Sequence, residues 1–362
     1  MTSPRLKIVF FCKRRPQGRD LLTRPYGRFF HIPRLLALKG HEVHVLLLSY
    51  KGDPSCTKQR DGITWMSESV LPYGPTRYIR RAWEIVKSAR PDWVAGFSDI
   101  YFGILAERLA RRYDLRSAID AYDNYESYIP WFKPLHRLWR KALFGATVVT
   151  AAGPQLAELL QQLRAGRPVQ IVPMAAYPDG FEPMDRELCR RRLGLPFCIP
   201  LVAYCGSIYR NRGVQLLFDA FDDLRRKDAD VRLILSGRKD RGVRLPAYAK
   251  WLGYLPDEDV PYLLNAMNVL VVINQLSSFG RYSYPAKLYE ALSCRIPVVA
   301  TATEPAKWIL NHRPQFLATP GDPFDLSKKI WDLLPVERPD YGEVSSWENS
   351  CRLFEKALLH AA

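Results

Sequence analysis

The sequence predicts an α/β protein of two Rossmann-like domains facing each other across a cleft. Three observations carry that expectation. Short apolar runs alternate with amphipathic stretches, and they do so in both halves of the chain. Most of the runs are apolar throughout, which suits parallel strands buried on both faces. The length, 362 residues, suits two domains of ordinary size, at roughly 100–200 residues each.

Lys7–Lys13 is an apolar run that ends in charge. Arg28–Lys39 is helix-like and stops at Gly40, a good helix terminator because glycine takes left-handed backbone freely. His41–Tyr50 alternates and then turns continuously apolar, so a buried strand is expected. Strand, helix and strand at this spacing open a parallel sheet. The pattern repeats with helix Trp83–Ala89, strand Asp92–Gly96, helix Tyr101–Tyr113 and strand Arg116–Asp120. Helix Trp131–Leu143, strand Ala146–Ala151, helix Gly153–Leu163 and strand Val169–Pro173 follow.

Residues 174–196 lose the alternation. Ala175-Ala176-Tyr177-Pro178-Asp179-Gly180 is turn-rich, and Arg186–Leu193 is a short basic helix before Gly194. An interdomain linker is expected there. The second series starts at strand Leu201–Cys205 and helix Val214–Lys227. It runs on through strand Val231–Ser236, helix Asp257–Ala266, strand Val269–Ile273, helix Pro285–Ser293 and strand Pro297–Ala300. Helices Glu304–Leu310, Pro323–Leu334 and Trp347–Leu359 complete it. The expected division is 1–173, linker 174–199, 200–345, and a C-terminal helix in 346–362.

Composition narrows the function. Apolar residues are 48% and charged residues 25%, as in ordinary globular proteins. No apolar run approaches the ~18 residues that span a bilayer. The start, Met-Thr-Ser-Pro and a short apolar run, does not read as a secretory leader. The seven Cys show no CxxC spacing, and buried free thiols in a reducing cytosol are expected. The six His show no metal-ligand spacing, so no metal site is expected. Asp228-Ala229-Asp230 has the spacing of a DxD motif but falls between a helix and a strand, where a solvated turn is expected. The net charge is +16 and lopsided. Residues 1–170 carry 28 Lys and Arg against 14 Asp and Glu, while 171–362 carry 25 against 23. The first half therefore attracts an anionic partner: nucleic acid, an anionic membrane surface or a phosphorylated substrate. No nucleic-acid-binding signature appears, and the basic residues are scattered.

Two loops carry the chemistry. Ser277 through Leu292 runs from a polar, Gly-containing loop into a helix with Pro285 near its start. Unpaired N–H groups and the helix dipole make an anion site there. Lys287 adds a charge in the first turn, and Glu290, three residues on, shares its face. Phosphate at Lys287 and a sugar hydroxyl at Glu290 would suit a nucleotide lying along the helix. A capped surface helix with an ordinary ion pair is the bland alternative. The second loop, Gly206 to Gly213, follows a strand and carries Arg210 and Arg212. Glycine lets backbone approach a ligand, and paired guanidinium donors hold a diphosphate.

In order along the chain, these loops and their surroundings resemble the GT-B glycosyltransferases, in particular glycosyltransferase family 4. Gly40-His41-Glu42-Val43-His44-Val45 looks like the family's GHEV strand, and Val169–Ala176 with Phe181-Glu182-Pro183 its interdomain segment. Leu193-Gly194-Leu195-Pro196, Leu216–Phe221, Leu252-Gly253-Tyr254-Leu255, Pro297-Val298-Val299-Ala300-Thr301 and Ser346-Trp347-Glu348 continue the likeness. The resemblance implies an acceptor-binding first domain, a second domain that binds a nucleoside-diphosphate sugar (UDP or GDP as carrier), and a last helix crossing back. It places Lys287, Arg212, Arg210, Gly206 and Ser207 at the donor diphosphate. Glu290 would meet the ribose, Leu255 the base, and Tyr282 and Ser283 the donor sugar. The family's first acidic position, eight before Glu290, carries Tyr282 here, and its Arg after the loop glycine is Ser207.

In the first domain, Ser117 to Glu126 leaves a strand for a polar loop with Asp120, Asp123 and Glu126. A carboxylate there could act as general base on an acceptor hydroxyl; Asp123 is the first candidate and Asp120 the second. Loop and helix capping is the competing use of these residues. Basic, aromatic stretches stand at Tyr78–Trp83 with Lys87 and Arg90, and at Trp131–Lys141. Such stretches suit an interfacial helix, and equally a domain helix with Trp in the core. A lipid-linked saccharide acceptor would account for both the membrane face and the charge. The expectation is a cytoplasmic, peripherally membrane-associated glycosyltransferase of polysaccharide or glycolipid biosynthesis. A sugar-nucleotide 2-epimerase and a non-catalytic transferase-like scaffold are the alternatives.

Overall fold

Residues Met1–Met174 and Ser346–Ala362 form one unit, and Ala175–Ser345 a second. The structure, a computed structural model, describes residues 4–177, 180–227 and 230–361. Asp228 and Ala229 of the DxD-spaced turn lie outside the described residues.

The first unit follows the chain as β1 (Lys7–Lys13), α1 (Arg28–Leu38), β2 (Glu42–Ser49), β3 (Cys56–Arg60), β4 (Ile63–Ser69) and α2 (Thr76–Ala89). Then come β5 (Trp93–Gly96), α3 (Ile100–Tyr113), β6 (Arg116–Ala121), α4 (Lys133–Gly145), β7 (Val148–Ala151), α5 (Pro154–Leu163) and β8 (Gln170–Ile171). The sheet order is β3-β4-β2-β1-β5-β6-β7-β8. Every neighbouring pair is parallel except β3 with β4. Ile8 to Cys12 of β1 are buried throughout, as a central parallel strand must be.

Two elements differ from the sequence reading. The β3–β4 hairpin was not expected, although Asp61-Gly62 is its two-residue turn with both residues at positive φ. Asp-Gly is the composition such a turn favours. Helix α2 begins at Thr76, not Trp83.

The second unit contains α6 (Arg186–Arg192), β9 (Leu201–Cys205), α7 (Val214–Lys227), β10 (Arg232–Ser236), β11 (Ala249–Trp251) and α8 (Val260–Asn265). It continues with β12 (Val269–Val272), α9 (Ala286–Ser293), β13 (Val298–Thr301), α10 (Glu304–Ile309), β14 (Leu317–Ala318) and α11 (Pro323–Leu333). Its six strands are all parallel, in the order β11-β10-β9-β12-β13-β14. The short β11 was also missed, being half-exposed and only three residues long.

The last helix, α12 (Trp347–His360), belongs to the first unit. Ser346 caps it by accepting from the Asn349 N–H at 3.1 Å. Phe354 packs edge-on to Phe97 at 5.5 Å, and Trp347 stacks on His31 at 5.3 Å. Glu355 bonds Lys39 and, at 2.9 Å, His41. Burial pushes its carboxyl up, but these two partners outweigh that and hold it below the ordinary range.

The stretch expected as a linker is packed into the second unit. Asp185 caps α6 by accepting from Leu188 N–H at 2.7 Å. Arg190 is buried, and its guanidinium bonds the carbonyls of Ala266, Phe197 and Ile199 and the side chain of Asn268. A long side chain that satisfies four acceptors ties segment to core. Arg190→Ala removes all four bonds; Asn268 Oδ1 keeps the Leu201 N–H, but the carbonyl of buried Ala266 loses this donor, and a buried unsatisfied group costs ~1–3 kcal/mol. A loss of about 2–4 kcal/mol is expected in urea unfolding; a loss below 0.5 kcal/mol would mean the segment is tethered elsewhere.

Candidate functional site

In the second unit the winding reverses between β9 and β12. From β9 the chain moves through α7 to β10 on one side, and from β12 through α9 to β13 on the other. Such a reversal leaves a crevice outside the carboxyl ends of the strands.

The loop after β9 is held by backbone. Gly206 N–H donates to Ser236 O at 2.9 Å and Ile208 N–H to Arg238 O at 2.8 Å. Gly237, at φ +132°, sits against the Gly206 carbonyl so closely that any Cβ would collide with it. Gly237 N–H donates to Gly253 O at 2.8 Å, and the Trp251 indole donates to Gly237 O at 3.0 Å. Three loops are thereby fastened together, and Leu255 follows the third of them. Arg210 and Arg212 lie on one turn of 3-10 helix. Arg210 donates to Gly242 O at 3.0 Å. Arg212 lies over the ring of Phe279, 5.1 Å from its centroid. Tyr204 donates to Ser207 O at 3.2 Å. Burial pushes its phenol up to about 12, with the Arg212 charge pulling the other way.

Phe279 belongs to the loop after β12, so the two loops meet there. Thr301 Oγ1 anchors the start of that loop, accepting from Asn274 N–H at 2.8 Å and donating to Asn274 O at 2.9 Å. Gly280 packs on the Gln275 carbonyl with no room for a Cβ. Gly280–Tyr282 form a 3-10 turn, Ser283 is extended, and Pro285 is the N-cap of α9. Proline offers no side-chain acceptor, and no side chain caps this helix start. Lys287 and the buried Glu290 form an ion pair. Burial pushes the Cys205 thiol at the end of β9 up to about 12; Lys287 draws it down and Glu290 pushes it up. The pair therefore lies beside the end of β9. The structure thus brings Gly206, Ser207, Arg212, Lys287 and Glu290 to one edge of the sheet. Phe279 and Thr301, which join and fasten those loops, were missed because an aromatic in a loop and a threonine at a strand end carry no pattern.

The first unit reverses its winding between β1 and β5. Asp99 stands at that edge, caps α3 by accepting from Ile100 N–H at 2.8 Å, and lies 3.6 Å from Lys13 Nζ. Burial raises its carboxyl, against the pull of Lys13. The sequence reading passed over Asp99; an Asp between a strand and a helix at the point of reversal was the signal available. Asp123 is buried and accepts from Tyr128 OH at 2.6 Å. Tyr122, its phenol raised by burial first, also feels both Asp123 and Asp99. Glu126 is gripped by Arg140 through two bonds, 2.8 and 2.6 Å.

Asp120 requires a correction. Both its oxygens are taken by Arg28, at 2.7 and 2.6 Å, and Thr150 donates to Oδ1 as well. Neither Asp120 nor Arg28 has any exposed surface. A carboxylate with no exposed surface and three hydrogen bonds already filling it is out of reach of an acceptor hydroxyl. Its work is to anchor Arg28, which also donates to Val172 O at 3.1 Å. The basic, aromatic stretches also divide. Trp139 and Tyr78 are core, Tyr78 donating to Leu46 O at 3.0 Å, while Trp131 and Trp83 are exposed. Five cysteines are buried free thiols; Cys56 is half-buried and Cys198 exposed. Asp120→Ala leaves a buried guanidinium unpaired, and a loss of about 3–5 kcal/mol is expected in urea unfolding. A loss under 1 kcal/mol would show that Arg28 is satisfied without it.

Residues 29–175 match the family described as Glycosyl transferase 4-like domain, and residues 199–335 that described as Glycosyl transferases group 1. A teichuronic acid biosynthesis glycosyltransferase, so named, of Bacillus subtilis is 24% identical over 216 residues, 59% of this chain and 52% of that one. The chain spans about half the length of the curated relatives it matches. Sucrose-phosphate synthase from Thermosynechococcus elongatus superposes with a TM-score of 0.72 at 15% identity, over 98% of this chain and 94% of that one. Anabaena HepE, solved in complex with UDP, gives 0.68 at 15% identity, over 96% and 94%. Likeness at such identity concerns the fold.

Proposed function

The chain belongs to the GT-B glycosyltransferases of the family-4-like type, and from that premise we propose that it transfers a sugar from a nucleoside-diphosphate donor to a saccharide hydroxyl. The observation that carries this is that the two loops at the second unit's point of reversal touch through Arg212 and Phe279, and the second leads into a helix start that no side chain caps, with Lys287 in its first turn. Negative charge develops on the diphosphate as the glycosidic bond breaks. Fixed cations and backbone N–H groups aimed at that charge lower the barrier and need no reorganisation. Lys287 and Arg212 supply the cations, so the reaction is proposed to need no metal and no other cofactor. Glu290, buried beside Lys287, accepts from the ribose hydroxyls. Gly206 and Ser207 let backbone approach the phosphates, Arg210 supports them from the same turn, and the chain at Leu255 meets the base. Tyr282 and Ser283 border the donor sugar. The carrier is UDP or GDP; the UDP complex of HepE favours the first.

The acceptor belongs to the first unit. Asp123 is the proposed general base, and Asp99 the second carboxylate at the same edge. The teichuronic acid relative supports a polysaccharide or glycolipid pathway. A lipid-linked acceptor fits the excess of cations and the exposed Trp131, Trp83 and Phe132. Among the described residues no helix is long and apolar enough to cross a membrane, so the contact proposed is peripheral, on the cytoplasmic face.

Lys287→Ala is expected to slow transfer by about 100-fold, the scale for one charge-stabilising donor, and chelation of divalent ions to leave the rate unchanged. Undiminished turnover in Lys287→Ala would overturn the donor-site reading. Asp123→Asn is expected to abolish transfer while donor binding persists. Asp99→Asn separates stability from function. Because the folded-state pKa of Asp99 is raised, ionising it on going above the ordinary carboxylate range costs stability. Asparagine caps equally well, so the variant should unfold no earlier than the parent at pH 7. A lower melting point at pH 7 would contradict this.

A further inference from the structure

Outside the two crevices, the first unit has a groove of about 1160 Å³ between α2 and α3, with α4 at one side. Ile79 and Trp83 of α2, Ile104 and Leu105 of α3, and Leu138 of α4 line it. Its floor is Leu48, Tyr78 and Phe102, part of the first unit's core. Ile79, Trp83 and Leu138 are 47%, 38% and 40% exposed, although they line a concavity. Apolar surface exposed in a hollow suits an apolar ligand.

The rim is cationic. Arg80, Arg108, Arg111 and Arg112 border the groove. Two carboxylates answer them: Glu84 lies 3.9 Å from Arg80, and Glu107 3.6 Å from Arg111. Arg112 lies over Trp83 at 5.9 Å, and Lys87 over the same ring at 5.5 Å. Arg108 forms none of the ion pairs found among the described residues. An apolar trough with surplus guanidinium along its edge is complementary to a molecule with a long apolar tail and an anionic head.

Position adds direction. Tyr50 and Tyr101 both line the groove, Tyr101 in the first turn of α3. Burial raises the Tyr101 phenol, and the next contribution is Asp99. Asp99, the N-cap of α3, is two residues before Tyr101, so the groove begins near that edge and follows α3 from Tyr101 to Arg112, roughly 17 Å at 1.5 Å per residue.

We propose that the α2–α3 groove takes the hydrocarbon chain of an anionic single-chain amphiphile, a long-chain alkyl phosphate in chemical class, with the phosphate on the rim arginines. This rests on the lipid-linked acceptor reading and gives the hydrocarbon chain of such an acceptor a site in the first unit. A bilayer face would present its apolar groups on a convex stripe. These converge on a hollow, which one chain fills and a flat membrane does not.

Dodecyl phosphate below its micelle concentration, titrated calorimetrically into the full chain, tests it. Saturable one-to-one binding is expected, at least tenfold tighter than for inorganic phosphate or a neutral dodecyl glycoside. Shortening the chain should weaken it by roughly fourfold per methylene. Leu105→Trp, which fills the trough, and the pair Arg108→Glu with Arg112→Glu should each weaken binding at least tenfold. Ile79→Glu, at an exposed position, serves the same end if Leu105→Trp fails to fold. UDP binding should be unchanged in every variant. Non-saturable uptake, or affinity indifferent to all three changes, overturns the groove. So does the case in which only binding to phosphatidylglycerol vesicles responds, because that identifies a bilayer face. If dodecyl phosphate binds as expected but lipid-free saccharide is glycosylated as well as lipid-linked saccharide, the groove stands and the lipid-linked acceptor falls.

Discussion

The chemistry proposed for the second unit depends on one topological constraint: a parallel sheet that winds outward in both directions must reverse somewhere. At β9 and β12 that reversal leaves two strand ends with their loops side by side. The consequences are local and physical. The Gly206 loop can be fastened to its neighbours only because Gly237 has no side chain to collide with the Gly206 carbonyl. The loop after β12 folds back on itself because Gly280 has none either. With both loops fixed, Arg212 comes to rest on Phe279, and the start of α9 is left without a cap. A helix start that no side chain caps, with a lysine in its first turn and an arginine in the neighbouring loop, is a place that favours an anion.

The first unit meets the same constraint with different chemistry. Its reversal, between β1 and β5, sets Asp99 beside Lys13, and the neighbouring loop after β6 adds Tyr122 and Asp123. The fully buried Arg28–Asp120 pair holds α1 to β6 beneath that edge, and through Val172 reaches the end of the unit's chain segment. Such a pair is expensive to desolvate and tolerable only with every polar atom engaged. Thr150 and the Val172 carbonyl complete that requirement. The arginines in excess sit on the outer helices, far from any duty in the core, which is why they are available to a ligand from outside.

Much of this was legible in the sequence, and the reasons are specific. Buried parallel strands are continuous apolar runs, so β1, β2, β9, β12 and β13 stood out. The helix carrying Lys287 and Glu290 was legible because spacing alone puts those residues on one face. Exposed strands were not: β3 is polar, and β11 is three residues long. The stretch 174–199 looked like a linker because turn residues hide its packing, which rests on Arg190 and the carbonyls it bonds. Asp120 looked available because no sequence pattern pairs it with Arg28, 92 positions away. Asp99 was overlooked because its importance comes from strand order, which is a property of the sheet and not of the segment.

The central claim is that the second unit's reversal point is a nucleoside-diphosphate site. The most direct measurement is the melting temperature of the purified chain against UDP, GDP, ADP and CMP. A ligand that binds only the native state raises stability by RT ln(1 + [L]/Kd), about 2.7 kcal/mol at a hundredfold excess over Kd. The account predicts a clear rise with UDP or GDP, a smaller one with the monophosphate, and loss of the rise in Lys287→Ala. No shift with any diphosphate, or an equal shift in Lys287→Ala, would contradict it.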